Sequence, residues 1–84
     1  MYYVYILRSI EYPEQTHVGF STDLKKRIKQ HNEGGCPHTA KFKPWELIWY
    51  SAFPEKQRAL DFEKHLKSHS GKAFASKRLI DRPL

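Results

Sequence analysis

The chain reads as an α+β domain, a three-stranded antiparallel sheet flanked by helices in the order β-β-α-β-α-α. Three observations lead there. Tyr2 to Leu7 is an unbroken run of aromatic, β-branched and aliphatic residues. Two further stretches, Thr16 to Ser21 and Trp45 to Phe53, have strand composition. After the second and third of these come segments with apolar residues at helical spacing, Leu24 with Ile28, then Ala59, Leu60 and Phe62 with Leu66. A length of 84 residues leaves room for one core, so residues 1–84 are read as a single domain.

Taken in order, the continuous Tyr2 to Leu7 run predicts a strand buried on both faces. Glu11, Pro13 and Glu14 supply turn chemistry, and the next strand folds back on the first as an antiparallel hairpin. Thr22 or Ser21 can cap a helix that runs to about Asn32, with Asp23 complementing the dipole in its first turn. Gly34, Gly35 and Pro37 end that helix and open a loop lasting to about Pro44. Trp45, Leu47 and Trp49 alternate, with Ile48 and Tyr50 between them, so this strand too should be covered on both faces. Pro54 and Glu55 start a second long helix that reaches about Ser68. Ser70 and Gly71 break it, and Lys72 to Ile80 can form a short final helix.

Apolar residues make up 39% of the chain, and five Phe, five Tyr and two Trp give each buried position a large area. This is the composition of a folded domain and not of a disordered tail. Fifteen Lys and Arg against nine Asp and Glu leave a net charge of +6. That excess favours polyanionic partners, although a merely basic soluble protein would show it as well. Cys36 is the single cysteine, which excludes a disulfide-stapled secreted domain and fits a reducing, cytoplasmic setting. The N-terminus lacks the pattern of a signal peptide, and the longest apolar run is far too short to cross a bilayer, so no membrane partner is expected.

Candidate functional residues stand out where the pattern is broken. On the first helix His31 falls beside Leu24 on the apolar stripe, with Arg27 at its edge and one turn away. Arg27 can snorkel along the core and His31 can cap the helix end, or the pair can serve a site. On the second helix Glu63 falls inside the apolar arc. An ionised carboxylate there costs several kcal/mol unless it is paired with Arg or Lys or holds a hard cation. In the hairpin, Tyr5 and His17 lie symmetrically about a turn near Glu11, so any register with an even pairing sum puts them on one face. Gly19 follows on that face and leaves backbone open to a ligand or to close packing. His65 and His69 have i, i+4 spacing but sit at a fraying helix end. His31, Cys36 and His38 have no accepted zinc spacing.

Joined together, these residues resemble the GIY-YIG nuclease domain. Tyr3-Val4-Tyr5 and His17-Val18-Gly19 are similar to its paired strand motifs. Asp23-Leu24-Lys25-Lys26-Arg27 and His31-Asn32 match the helix that follows. The likeness runs from Tyr2 to about Leu79, and is closest to small stand-alone bacterial members related to the catalytic domain of the excision-repair nuclease subunit. Arg27, His31 and Glu63 at their spacings make the set specific.

The resemblance implies roles. Tyr5 helps position the attacking water, and His17 stands where the family's second motif tyrosine, its proposed general base, usually stands. Gly19 matches the motif glycine, Arg27 the arginine on the reacting phosphate, and His31 a histidine or tyrosine near the nucleophile. Glu63 matches the glutamate that binds one divalent metal. A single carboxylate suits Mg²⁺ (or Mn²⁺) with several retained waters better than Zn²⁺. The implied activity is hydrolysis of phosphodiester bonds in nucleic acid, with DNA the first expectation and DNA repair the setting. Lys25, Lys26, Lys29 and Lys41, with Lys43, Lys72, Lys77 and Arg78, could line a path for its backbone. The loop His38-Thr39-Ala40-Lys41 is near enough in sequence to join the site. Specificity would come from this small surface, a protein partner or a homodimer. Two departures favour the alternative of a weak or inactive binding module: His17 replaces a tyrosine, and Ala75 and its neighbours offer no counterpart to an asparagine some relatives carry. A histidine of ordinary pKa can still accept a proton at neutral pH. A third reading is a basic structural protein whose Glu63 pairs with Arg27.

Overall fold

The computed structural model describes residues 1–35 and 37–68. They form β1 (Tyr2–Ser9), β2 (Thr16–Ser21), α1 (Leu24–Asn32), a one-turn α2 (Pro37–Ala40), β3 (Trp45–Phe53) and α3 (Lys56–Lys67). The expected final helix, Lys72 to Ile80, lies outside the described residues. The sheet order is β2-β1-β3, antiparallel throughout.

β1 takes the centre because its composition suits both faces: Val4, Tyr5, Ile6 and Leu7 have no solvent exposure. Alternation then divides the core into two layers. Val4 and Ile6 join Ala59 and Leu66 of α3 on one face, with Phe62, Trp49 and Phe53 packed around them. Tyr5 and Leu7 join Trp45 on the other, beneath Leu24, Ile28 and Phe42. Each fully buried aliphatic side chain contributes about 1.5–3 kcal/mol, so the two layers together justify a sheet with helices on both sides. Among the described residues, no helix is long and apolar enough to cross a membrane.

The hairpin register pairs Tyr5 with Gly19 and Leu7 with His17, an even sum, so all four share the α1 face. β3 is not covered on both faces as expected: it is an edge strand with Glu46, Leu47 and Tyr50 exposed, and it departs from simple alternation. Ile6 pairs with Trp49 but Leu7 pairs with Leu47, so a bulge shifts the register between them. The extra residue reverses which side chains point where. Trp45 therefore faces the α1 layer and Trp49 the α3 layer, one tryptophan for each, while Leu47 is left largely exposed.

Local polar groups set the ends of α1. The cap is Asp23 itself, one residue later than Thr22 and not within the first turn: its Oδ1 accepts from Lys26 N at 3.1 Å. Ser21 braces it, accepting from Asp23 N at 3.0 Å and donating to Asp23 O at 2.9 Å. At the far end Gly34 takes φ 80°, the left-handed conformation that closes helices. The Asn32 amide grips Trp45, donating to its carbonyl at 3.1 Å and accepting from its N–H at 2.5 Å. That clamp ties the end of α1 to the start of β3. Between them the expected loop contains α2, whose single turn carries no apolar periodicity that a sequence pattern could show.

Candidate active site

Tyr5 projects from the centre of the sheet towards α1, directly opposite Gly19. A Cβ on Gly19 would overlap the Tyr5 ring, so the glycine is what lets the ring lie across β2. His31 reaches the same point because positions 24, 28 and 31 share one face of α1. The Tyr5 hydroxyl meets His31 Nε2 at 3.0 Å. His31 Nδ1 meets Thr39 Oγ1 at 2.8 Å. Trp45 Nε1 donates to the Thr39 carbonyl at 2.8 Å, which fixes α2 against the sheet. His17 packs edge-on against His31, with ring centroids 4.8 Å apart, and lies 6.3 Å from both Tyr5 and Trp45.

Burial separates these residues into two sets. Tyr5, His31 and Thr39 are shut off from solvent, at 0%, 1% and 3% exposure. His17, Arg27 and Glu63 are only half-buried and can meet a bound molecule. Burial lowers the His31 pKa from its ordinary 6.5, and the positive Arg27 lowers it further, so the imidazole is neutral at pH 7. A neutral ring has one N–H and one acceptor nitrogen. The hydroxyls of Tyr5 and Thr39 can each give or take a hydrogen bond. The direction chosen at Thr39 therefore sets the direction at Tyr5.

Arg27 donates to Gln30 Oε1 at 3.4 Å and lines an open cleft of ≈ 510 Å³ where β2 passes into α1. Lys26 lines the same cleft, so two cations face the space, and among the described residues lining it the one anion is Asp23. The carboxylate of Asp23 is engaged in capping the helix.

Glu63 sits on α3, the helix covering the sheet face opposite Tyr5 and His31. Its side chain is 19% exposed and its Oε2 lies 3.2 Å from Lys67 Nζ. This is the Glu–Lys pair that the sequence admits as the plainer account, in place of the Arg27 pairing. Neighbouring Phe62 packs on Trp49 and Phe53 of β3. Glu63 follows about 100° further round the helix and so lies on its other flank, the side of β2. Among the described residues no group of three or more His, Cys, Asp or Glu could hold a metal. Glu63 offers a single carboxylate whose Oε2 is engaged by Lys67, so an ion there would be held by one protein group and otherwise by water.

The lysines are scattered over the exposed surface. Lys26 borders the Arg27 cleft and Lys25 a second depression beside it. Lys29 lies 3.7 Å from Glu33, and Lys41 Nζ stands 5.6 Å from the Phe42 ring centre. Ala75, Lys72, Lys77, Arg78 and His69 lie outside the described residues. His65 is exposed against Phe62. Thr39 is the member of the cluster with the weakest sequence signal. Its short polar loop was marked only by nearness in sequence, and nothing in the pattern distinguishes a threonine that holds a histidine from one that faces water.

Comparison with known proteins fits this architecture. The model of the GIY-YIG catalytic domain matches residues 1–78. A structure-specific endonuclease subunit SLX1 from Debaryomyces hansenii is 40% identical over 74 residues, covering 79% of this chain and 21% of that protein. The chain thus spans about a fifth of the length of that relative. A UPF0213 protein of Haloquadratum walsbyi is 31% identical over 70 residues, covering 82% of this chain and 76% of its own. The solution NMR structure of the UPF0213 protein BH0048 from Bacillus halodurans superposes with a TM-score of 0.58 at 32% identity, covering 95% of this chain and 87% of that one. With the match running over nearly all of its length, the chain belongs to the GIY-YIG catalytic-domain family.

Proposed function

We propose that this GIY-YIG domain is a metal-dependent endonuclease that hydrolyses phosphodiester bonds in nucleic acid, DNA in the first place. The observation that carries the reading is Arg27, which shares with Lys26 an open cleft at the start of α1. A phosphate entering that cleft meets two cations, and Arg27 can give its non-bridging oxygens several hydrogen bonds while keeping its charge. The naming of SLX1 as an endonuclease subunit supports the same chemistry.

Hydrolysis requires water to attack phosphorus as the bond to the leaving oxygen breaks, with one proton leaving the water and one reaching the departing alkoxide. His17 is half-buried, has an imidazole to accept the first proton, and stands in the motif position for a base. Tyr5 and His31 are both enclosed, so their part is to hold and orient: the Tyr5–His31–Thr39 chain forms a fixed wall behind His17. Glu63 would hold the divalent ion, Mg²⁺ or Mn²⁺, which when bound supplies charge stabilisation for the phosphate and the leaving oxygen. Lys25, Lys29 and Lys41 would add salt-sensitive backbone contacts. Specificity would be shared with a protein partner or a second copy. The second reading, a scaffold that holds nucleic acid without cutting it, has His17 in place of tyrosine in its favour.

Cleavage of supercoiled plasmid, single-stranded DNA and RNA with Mg²⁺, Mn²⁺ or EDTA, beside Glu63→Ala, separates the two. Metal-dependent cutting lost in the variant is the expected result. Salt-sensitive binding with no cutting by the native protein would move the conclusion to the binding scaffold.

A further inference from the structure

One aromatic pair next to the cleft is not used by the chemistry above. Tyr3 and Tyr5 are two residues apart on the same face of β1, and Tyr50 of β3 pairs directly with Tyr5. α1 covers Tyr5, but Tyr50 is 53% exposed although it sits in the middle of its strand. The rings of Tyr3 and Tyr50 are 6.3 Å apart and tilted by 56°, so they touch without stacking on each other. They wall a depression of ≈ 340 Å³ completed by Leu24, Lys25 and the Thr22–Asp23 turn. That volume falls within the range of about 300–1,000 Å³ for small-ligand clefts. Thr22 and Asp23 also line the Arg27 cleft, so the two depressions meet at the turn that opens α1.

We propose that Tyr3 and Tyr50 form a stacking subsite for an unpaired nucleobase beside the phosphate bound at Arg27, which makes the preferred substrate a nucleic acid with a single-stranded segment or arm. This rests on the nucleic-acid reading of the Arg27 cleft. A half-exposed aromatic ring next to cations matches the two halves of a nucleotide, a base and a phosphate. A base in a duplex is already stacked on both sides, whereas an unpaired base is free to stack on the exposed Tyr50 ring. Lys25 at the rim and Lys26 at the adjoining cleft hold the connecting backbone by charge. An aliphatic protein surface would meet a lysine and an aspartate at the rim.

The test uses a short single strand carrying one 2-aminopurine, free or annealed to its complement, bound to the full chain in EDTA so that no cleavage intervenes. Fluorescence reports stacking and anisotropy reports binding. The single strand should be quenched on binding. Tyr50→Leu and Tyr3→Leu should each abolish the quench and weaken single-strand affinity by about five-fold or more, with duplex affinity unchanged. Tyr50→Phe should keep the quench, and Tyr50→Thr provides a second, strand-forming replacement with circular dichroism as the check on folding. Binding that survives with quench and affinity unaltered in the leucine variants overturns the subsite and leaves the phosphate cleft standing. Equal losses on single strand and duplex also overturn it, because the tyrosines would then not discriminate unpaired bases. No binding of either probe by the native protein overturns the nucleic-acid reading and the subsite with it.

Discussion

Replacing Thr39 with valine tests the enclosed wall behind His17 more directly than any change at the cleft. Valine keeps the branched shape and nearly the volume, so packing around α2 changes little. The Trp45 bond to the Thr39 carbonyl is a backbone contact and survives. What disappears is the hydroxyl 2.8 Å from His31 Nδ1, in a place where the ring is 1% exposed and water cannot substitute. A buried polar atom stripped of its partner costs about 1–3 kcal/mol. In a domain of this size each kcal/mol moves the melting temperature by about 4–8 °C, so a fall between roughly 4 and 24 °C is expected.

The functional readout differs from the structural one. Without Thr39 the proton on His31 is placed by Tyr5 alone, so the pH profile of cleavage should shift in Thr39→Val at temperatures where the variant is fully folded. Thr39→Ser restores the hydroxyl and should recover most of both the melting temperature and the profile. Thermal unfolding by circular dichroism and plasmid nicking across pH 5.5–8.5 measure the two effects for all three proteins, with the window set about the ordinary histidine pKa of about 6.5. A valine variant that melts with the native protein and keeps its profile would refute the reasoning. So would a serine variant no better than valine, since the hydroxyl would then not be the group that matters.

Three further outcomes follow from the geometry. His31 has a lowered pKa in the folded chain against 6.5 when unfolded, so the unfolded state binds more protons between those values and stability falls as pH drops below 6.5. Well above 6.5 the ring is neutral in both states and contributes no slope; denaturant melts from pH 7.5 to 5 should therefore be less pH-dependent in His31→Gln, and an equal dependence would remove His31 as the cause. Gly19→Ala pushes a methyl group into the Tyr5 ring, and overpacking of this kind costs about 1–3 kcal/mol in urea unfolding, with nicking activity reduced as Tyr5 turns away from His31; unchanged stability would mean that β2 simply bends aside. Glu63→Gln removes only a partly exposed pair with Lys67, so stability should change by less than about 1 kcal/mol while Mg²⁺-dependent cleavage is lost; a large drop in melting temperature would make the carboxylate structural.

The order of the elements could be read from the chain because each rests on a local pattern. An apolar run that needs cover on both faces must be a central strand, and β1 is one. Any even pairing sum puts Tyr5, His17 and Gly19 on one face, and the hairpin register, with Tyr5 opposite Gly19, has one. The bulge in β3 could not be read, because it adds one residue without changing composition. An alternation of Trp45, Leu47 and Trp49 looks the same whether or not the strand slips between them. The shift of the α1 cap from Thr22 to Asp23 is likewise a choice among neighbours of similar capping strength.

The site residues were legible for a different reason: each violates the pattern of its own element, and a violation is costly unless something compensates for it. His31 on an apolar stripe is compensated by two hydroxyls, one at each ring nitrogen. The sequence shows the violation but not the compensation, because Thr39 obeys the rules for a short polar loop. The same asymmetry hides the tyrosine pair. Tyr3 and Tyr50 suit a strand perfectly well, and only the absence of cover over Tyr50, beside a fully covered Tyr5, sets them apart. A buried polar group is visible from its element, whereas a partner or an exposed aromatic is visible only once the elements are packed. The Tyr5–His31–Thr39 chain is enclosed towards the end of α1, whereas the Arg27 and Tyr50 depressions at the turn into α1 are open. In the proposed nuclease the first would hold its geometry by excluding water, and the others would admit a charged chain.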